Sequence, residues 1–503
     1  MNSINLLSLL IFIPIVGFLV ILTIQENYKK ASLSSKYISL LTTIINFIII
    51  VYISLNFSIV SKDYKFIEKI SIYSAIDLNY YLGIDGISLI FLFLTIFLIF
   101  ISILFSNVEE RGKFYYSAIL ILQSAIIGMF CSLNILFFYI FFEVSIIPIF
   151  FLIGVFGGKD KSFVSFKFFL YTLFGSILIL IAIIIMIFQS HTTSLDKLYL
   201  FAFSPNTQNL LWILMFVGFG IKSAIFPFHT WLPETYVNSP TSLNIILSGI
   251  LVKLGIYGFI RFMIPMFPLA SINYMYIVFI LSLITVIYCG IIAYKQTNLN
   301  RFIAYYSISH MGLITASIFS FNAQGIEGAL FQSISHGIFN CGLFLVVIFM
   351  ENRLKISNLE SSSFKGLSVN APRLSIFFMI FLLASIGFPT TNGFIGEFLS
   401  LSGLFYVNRI LTAFFTLTLL ISCISILVLY RNLVFGSFFT VNTKPIFDLN
   451  IKETLTMLVL CFLIFFMGIY PDFFLDFLHT AVSNILDKFR SGLVIQEAIL
   501  EIK

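Results

Sequence analysis

Two lysines inside apolar runs set the first chemical question. Lys222 and Lys253 lie in GFGIKSAIFPFHTWLPETYVNSPTSLNIILSGILVKLGIYGFIR, from Gly218 to Arg261. Each sits about 18 Å into its segment at a helical rise of ~1.5 Å per residue, near the middle of a ~30 Å hydrocarbon core. A charge at that depth costs at least about 2.5 kcal/mol on insertion scales, so its first reading is functional, with a partner to be named. Four more ionisable residues share the apolar environment: Glu143 in ILFFYIFFEVSIIPIFFLIG, His310 in SISHMGL, His336 in SISHGIFNCG, and Glu397 in NGFIGEFL. Amines, imidazoles and carboxylates take up and release protons. Desolvation disfavours the charged form of a buried lysine and a nearby carboxylate favours it, so a Glu–Lys pair whose separation changes is a proton switch. Histidine, with an ordinary pKa near 6.5, is a natural relay between them. Any one of the six could be a structural ion pair or a hydrogen-bonded packing residue; six in one bundle make a wholly structural account the weaker one.

The elements that position these groups follow from composition. Of 503 residues 60% are hydrophobic and 10% charged, against roughly 25% charged in a soluble domain. The chain reads as an all-α polytopic membrane protein forming a single membrane domain, 1–503. The net charge of +6 comes with no basic run that could neutralise successive phosphates, which excludes a nucleic-acid partner. Cys131, Cys289, Cys341, Cys423 and Cys461 are scattered singly, without the pairing that iron–sulfur or zinc sites need. No metal ligand set and no cofactor site is expected in this chain.

Apolar segments fall near 3–24, 36–58, 84–107, 115–133, 135–156, 167–188, 210–228, 241–263, 272–294, 302–321, 325–350, 373–400, 408–436 and 453–474, about fourteen spans. Counted alternately, seventeen lysines and arginines fall in the connections of one side and nine on the other. That bias places both termini opposite the cytoplasm or matrix. Asp85, in LGIDGIS, reads as the N-cap of its own helix. The tail, 475–503, reads as an amphipathic surface segment.

The seventh and twelfth spans carry Pro227 and Pro389 in polar surroundings, FPFHTWLPE and IGFPTTNGFIGEFL. Proline removes a donor and disfavours helix before it, so both spans should be broken, which lipid tolerates only where a polar cavity is lined. Pro227 and Pro389 are 162 residues apart, and Glu143 and His310, each two helices earlier, are 167 apart. The near-constant offset predicts a duplication of five helices, over 115–263 and 272–436, and an odd count per unit makes the two repeats inverted. The N-terminus shows an apolar run without an Arg-rich presequence. Phe (63), Tyr (23) and the excess of Lys over Arg fit an AT-rich, organellar genome.

Nine blocks, YYLGIDGISL, FFEVSIIPIFFLIGVFGG, KFFLYTLFGS, IKSAIFPFHTWLPE, SGILVKLGIYGFIRF, RFIAYYSISHMGL, GALFQSISHGIFNCGLFL, APRLSIFFMIFLLASIGFP and NGFIGEFL, occur in an order that resembles the family of NADH dehydrogenase subunit 4, the antiporter-like chain of respiratory complex I. The resemblance spans nearly the whole chain. It implies fourteen transmembrane helices with two inverted five-helix repeats and broken seventh and twelfth helices. It carries proton-path roles onto Glu143 and Lys222 as an interacting pair, Lys253 as the connecting lysine, His310 and His336 as the central relay, and Glu397 as the terminal group. NADH, FMN, iron–sulfur clusters and ubiquinone belong, by the same implication, to partner subunits. The partners are other membrane-arm subunits, neighbouring antiporter-like subunits among them, and membrane lipids. The location implied is the mitochondrial inner membrane, with a bacterial plasma membrane as alternative, and the alternative function is a subunit of a multi-chain Na+/H+ antiporter. The chain departs from the family pattern at PETYVNSPT, where Tyr236 and Asn238 stand in place of a histidine and an acid, at Asn298 and Asn300, and at Thr390 and Thr391.

Overall fold

The computed structural model describes residues 5–25, 27–355, 359–360, 365–435 and 447–501, with side chains to 495. Lys444 and Lys503, both counted in the charge bias, lie outside the described residues, as do the ends of the segments 3–24 and 408–436 and of the tail 475–503. Backbone N–H and C=O groups have no partner in lipid but each other, so long apolar runs resolve into helices. In chain order these are α1 (Leu6–Leu22), α2 (Tyr28–Leu55), α3 (Gly86–Phe105), α4 (Gly112–Cys131), α5 (Ile135–Phe156) and α6 (Lys161–Ser190). Then come α7 (Pro205–Lys222), α8 (Trp231–Asn238), α9 (Thr241–Met266), α10 (Pro268–Tyr294), α11 (Leu299–Ile318) and α12 (Ala323–Leu354). The last are α13 (Pro372–Ser385), α14 (Asn392–Val407), α15 (Arg409–Val434), α16 (Ile451–Ile469) and α17 (Asp472–Glu501).

Among the described residues, ten helices are long and apolar enough to cross a membrane. The other four of the fourteen expected segments, 3–24, 210–228, 302–321 and 373–400, form shorter or more polar helices. Three of those four, 210–228, 302–321 and 373–400, carry Lys222, His310 and Glu397 of the candidate site, and those polar residues are the physical reason they fall short. The body is helical as expected, but the connection 56–84 adds an antiparallel hairpin, β1 (Lys65–Tyr73) and β2 (Leu78–Ile84), with Glu68 opposite Leu82 and Ile70 opposite Tyr80. Its alternating KFIEKISIY is a strand pattern with a period of two, too short to register as a span.

The chain forms two compact units. The first comprises Met1–Lys222, Leu254–Tyr274 and Phe477–Lys503; the second comprises Ser223–Lys253 and Met275–Asp476. In the first, α2 turns Ser35, Ser39, Thr43 and Asn46 inward, and Thr43 Oγ1 donates to Gln123 Oε1 of α4 at 3.3 Å. Helices α6 and α7 cross at two glycines: a Cβ on Gly218 would lie 2.6 Å from the Gly175 carbonyl oxygen. Without a hydrophobic drive between helices in lipid, such close backbone approach is what packs them. The hairpin turn is held by Asp77, whose carboxylate accepts from Lys197 Nζ at 2.9 Å and Thr192 Oγ1 at 3.1 Å. Burial works to raise the Asp77 carboxyl pKa, but the hydrogen bonds from Lys197, Asn79 and Thr192 outweigh it and hold it below the ordinary value.

In the second unit α12 packs along α11 and α14. Glycines again allow it: a Cβ on Gly403 would meet the Gly325 Cα at 2.3 Å, and one on Gly328 would meet the Ser400 nitrogen at 2.4 Å. Helix α7 stops at Lys222 and α8 begins at Trp231, while α13 stops at Ser385 and α14 begins at Asn392. The peptide bond Phe226–Pro227 is cis.

Candidate functional site

The sequence-predicted residues form two clusters, one in each unit. In the first, Lys222 is the last residue of α7, where a cation meets the negative end of the helix dipole. It is 1% exposed, its Nζ lies 4.9 Å from the centroid of the Phe142 ring, and it has no hydrogen-bond partner. Glu143 follows Phe142 on α5, yet no direct ion pair joins it to Lys222. The Glu143 Oε2 atom is also without a hydrogen-bond partner. The structure therefore holds the pair near each other and apart, an arrangement in which a small movement, or a bridging water, changes the interaction.

The second cluster is continuous. Lys253 is fully buried and donates to the Ser248 carbonyl and to His336 Nδ1 at 2.5 Å. The Ser248 carbonyl belongs to a π-turn over Leu247–Leu251, and the wider i→i+5 ladder of such a bulge is a recurrent feature of functional helices. The far nitrogen of His336, Nε2, meets Ser307 Oγ and Asn340 Nδ2, each at 3.0 Å. The His336 and His310 rings are 5.7 Å apart between centroids. Beyond His310, Gln332 Nε2 reaches both His310 Nδ1 and Glu397 Oε1 at 3.4 Å, and His310 Nδ1 itself stands 3.6 Å from Glu397 Oε1. Lysine, imidazole, imidazole and carboxylate follow one another inside a low-dielectric interior, with hydroxyl and amide groups filling the gaps.

Helix periodicity explains the alignment. Gln332, His336 and Asn340 are spaced by four on α12 and share one face, while Ser307 and His310 are three apart on α11. Glu397 depends on the break between α13 and α14. Gly387 there has a φ of +75°, and a Cβ on it would meet Glu397 Oε2 at 2.3 Å. Only glycine both adopts that backbone readily and leaves room for the carboxylate.

Among the residues assigned to the path, the direct partner of Lys253 is His336, and His310 with Glu397 lies further along the same line. Ser248, Ser307, Gln332 and Asn340 were not singled out from sequence, although the four-residue spacing of Gln332 and Asn340 about His336 was a readable signal. Arg261, counted among the connection residues of one membrane side, is 3% exposed and buried in the first unit. It pairs with Asp85, donates through Nε to Tyr257 Oη at 3.1 Å and through Nη2 to Ser88 Oγ at 3.1 Å. The desolvation cost forces the pairing: a buried guanidinium persists only with a carboxylate and its hydrogen bonds satisfied. Asp85 also caps α3 by accepting from the Ser88 nitrogen at 3.0 Å. His229 is buried at 3% exposure, its ring 5.3 Å from that of Tyr288.

Against known proteins, residues 132–469 match the family model described as NADH:quinone oxidoreductase/Mrp antiporter, TM. The NADH-quinone oxidoreductase subunit M of Rickettsia prowazekii is 39% identical, over 97% of this chain and 100% of its own. The NADH-ubiquinone oxidoreductase chain 4 of Marchantia polymorpha is 40% identical, over 95% of this chain and 97% of its own. Among solved structures, a chain of respiratory complex I from Thermus thermophilus with bound NADH shares the fold at a TM-score of 0.86 and 24% identity, covering 96% of this chain and 99% of that one. A chain of the Mrp complex from Dietzia sp. DQ12-45-1b reaches the same TM-score, 0.86, at 16% identity, covering 99% and 100%. The match across residues 132–469 and the full-length identity to curated relatives establish that this chain belongs to the NADH:quinone oxidoreductase/Mrp antiporter transmembrane family.

Proposed function

We propose that this chain is the proton-translocating, antiporter-like membrane subunit, of the subunit M or chain 4 kind, of an NADH:quinone oxidoreductase. The observation that carries the reading is the buried line Lys253–His336–His310–Gln332–Glu397 in a chain 39–40% identical to those relatives over 95–97% of its length. Electron transfer from NADH to ubiquinone takes place in partner subunits of the same complex; this chain contributes no redox step. The family fold alone does not separate this reading from a multi-chain cation/proton antiporter, since both kinds of solved structure share it at the same TM-score. Full-length identity of 39–40% to NADH-quinone oxidoreductase subunits favours the first. The membrane is the mitochondrial inner membrane, or the plasma membrane if the source is bacterial.

In mechanistic terms, Lys222 and Glu143 form a gate whose ion pair is open in this structure. When Glu143 approaches, the charged form of Lys222 is favoured; when it withdraws, burial favours release of the proton. Lys253 hands a proton to His336 through the hydrogen bond already present. The transfer continues through the two imidazoles to Glu397, with Gln332 orienting His310 and the carboxylate.

The test uses the assembled enzyme in sealed vesicles. Lys222→Ala, Glu143→Ala and Lys253→Ala should each reduce proton pumping by about tenfold or more, the scale on which a positioned proton-transfer group acts. Undiminished pumping with NADH oxidation retained would remove these residues from the path. Purification with NADH-oxidising partner chains supports the complex I reading, and purification with cation antiporter subunits alone supports the other.

A further inference from the structure

The first unit contains a cavity that neither proton cluster uses. It has a volume of about 810 Å³, lies along α1, α4 and α5, and is walled by apolar side chains such as Phe18, Leu22, Phe114, Ile121, Ile147 and Phe151. One end of it is chemically different. Arg111 and Lys113 line the cavity where α4 begins. Arg111 is exposed and holds a left-handed backbone, φ 56°, immediately before the helix, and α4 starts without a side-chain cap on its first N–H groups. Lys113 donates to the Leu22 and Ile24 carbonyls at 2.7 and 3.0 Å, which anchors its ammonium at the end of α1. Ser117, 6% exposed, lines the same cavity, and its Oγ has no hydrogen-bond partner.

The charges facing this end are mixed but biased. Lys29 and Lys30 flank it on α2, and Lys29 is paired with the exposed Glu109 at 3.2 Å. Glu110 is exposed beside Arg111, and Glu26 lies outside the described residues. Arg111, Lys30 and Lys113 therefore stand against Glu110, with Glu109 already engaged. All of these lie in connections of the Lys- and Arg-rich side, which meets the anionic leaflet of the membrane.

We propose that this groove is a binding site for an anionic phospholipid, with one acyl chain along the apolar wall between α1, α4 and α5 and the phosphate against Arg111 and the start of α4. The parts are complementary in chemistry. An apolar wall admits alkyl chain and excludes water. An uncapped helix N-terminus presents N–H groups and a positive dipole end to a phosphate, and a guanidinium matches phosphate geometry with two parallel hydrogen bonds. A zwitterionic lipid brings its own ammonium against Arg111 and Lys113, so the basic end selects for net negative charge.

The experiment uses the assembled enzyme in nanodiscs, with phosphatidylglycerol or phosphatidylcholine carrying a photoreactive group on one acyl chain. The phosphatidylglycerol probe should label peptides containing Phe114–Ile121 and Ile147–Phe151 more strongly than the phosphatidylcholine probe. Arg111→Gln should weaken that labelling about fivefold, the effect of one basic residue at an anionic surface, and Ala118→Trp, which fills the groove, should abolish it. Arg111 is exposed, so Arg111→Gln reads the site even if Ala118→Trp fails to assemble. Equal labelling by both probes, unchanged in Arg111→Gln, would show ordinary bilayer lipid and overturn the proposal. Absence of lipid labelling, with cross-links to a neighbouring subunit instead, would overturn it in favour of a protein occupant.

Discussion

Lys222 and Lys253 are the same residue type at the same expected depth, yet the structure treats them differently. Lys253 is embedded in hydrogen bonds to Ser248 and His336, whereas Lys222 faces an aromatic ring and its Nζ has no hydrogen-bond partner. On the proposed function, the first passes a proton onward and the second responds to a charge that moves. Gln332 is the residue on which this distinction is most testable. It is fully buried, with its Nε2 shared between His310 and Glu397. Gln332→Leu conserves bulk and removes the bridge, so proton pumping should fall about tenfold, on the scale of a lost proton-transfer contact, and the variant should lose about 1–3 kcal/mol of stability because polar partners stay buried without it. Pumping assays in sealed vesicles and the thermal midpoint of the assembled complex read the two effects separately. Unchanged pumping would show that His310 and Glu397 exchange protons without the amide.

At the scale of elements, the placement of Glu397 is decided by a glycine that the sequence does not single out. Gly387 adopts φ +75° where α13 gives way to α14, and its missing Cβ is the space occupied by the Glu397 carboxylate. Gly387→Ala introduces a left-handed alanine, at about 1–2 kcal/mol, and a direct clash with that carboxylate. It should therefore lower pumping as much as Glu397→Gln does, while Ala384→Gly, one turn earlier in the helix, should not. Comparing the three variants in the pumping assay checks this; wild-type pumping by Gly387→Ala would mean that Glu397 has another productive position. Proline and the polar run IGFPTTNG were legible as a disturbance in an apolar span. The two left-handed residues inside it, Gly387 and Thr390, were not, because the residue types of that run do not say which positions turn, and at Gly387 it is the carboxylate packed against it that requires the missing Cβ.

At the scale of the whole molecule, the first unit is closed by residues from distant parts of the chain. Arg261 and Asp85 pair in its interior, and α17 returns to it from the C-terminal end, with Lys62 Nζ on Asp487 Oδ2 at 2.6 Å and Lys488 Nζ 4.2 Å from the Tyr199 ring centroid. Arg261→Met leaves Asp85 buried and unpaired, so it should cost about 3–5 kcal/mol, while Arg261→Met with Asp85→Asn should recover much of that loss. Thermal unfolding of the assembled complex measures both, and a double variant as unstable as the single one would contradict the account. Lys488 adds a pH dependence. Burial, then the Arg261 charge, lower its pKa to about 8, against the opposing pull of Asp196 and Asp85. A lysine whose folded pKa lies below its unfolded value is at its least favourable below pH 8, and docking of α17 should strengthen as pH rises from about 8 toward about 10.5. Proteolytic resistance of the tail, compared between wild type and Lys488→Gln across that range, should diverge if this holds and run parallel if it does not. Composition and apolar periodicity by themselves determined a polytopic helical protein with protonatable groups at membrane depth, because lipid leaves the backbone one solution and makes each buried charge conspicuous. Which groups touch was decided only by tertiary structure. The His336 contact of Lys253, the amide between His310 and Glu397, and the Arg261–Asp85 pair each join residues far apart in the chain, and spacing along a sequence carries no distance between helices.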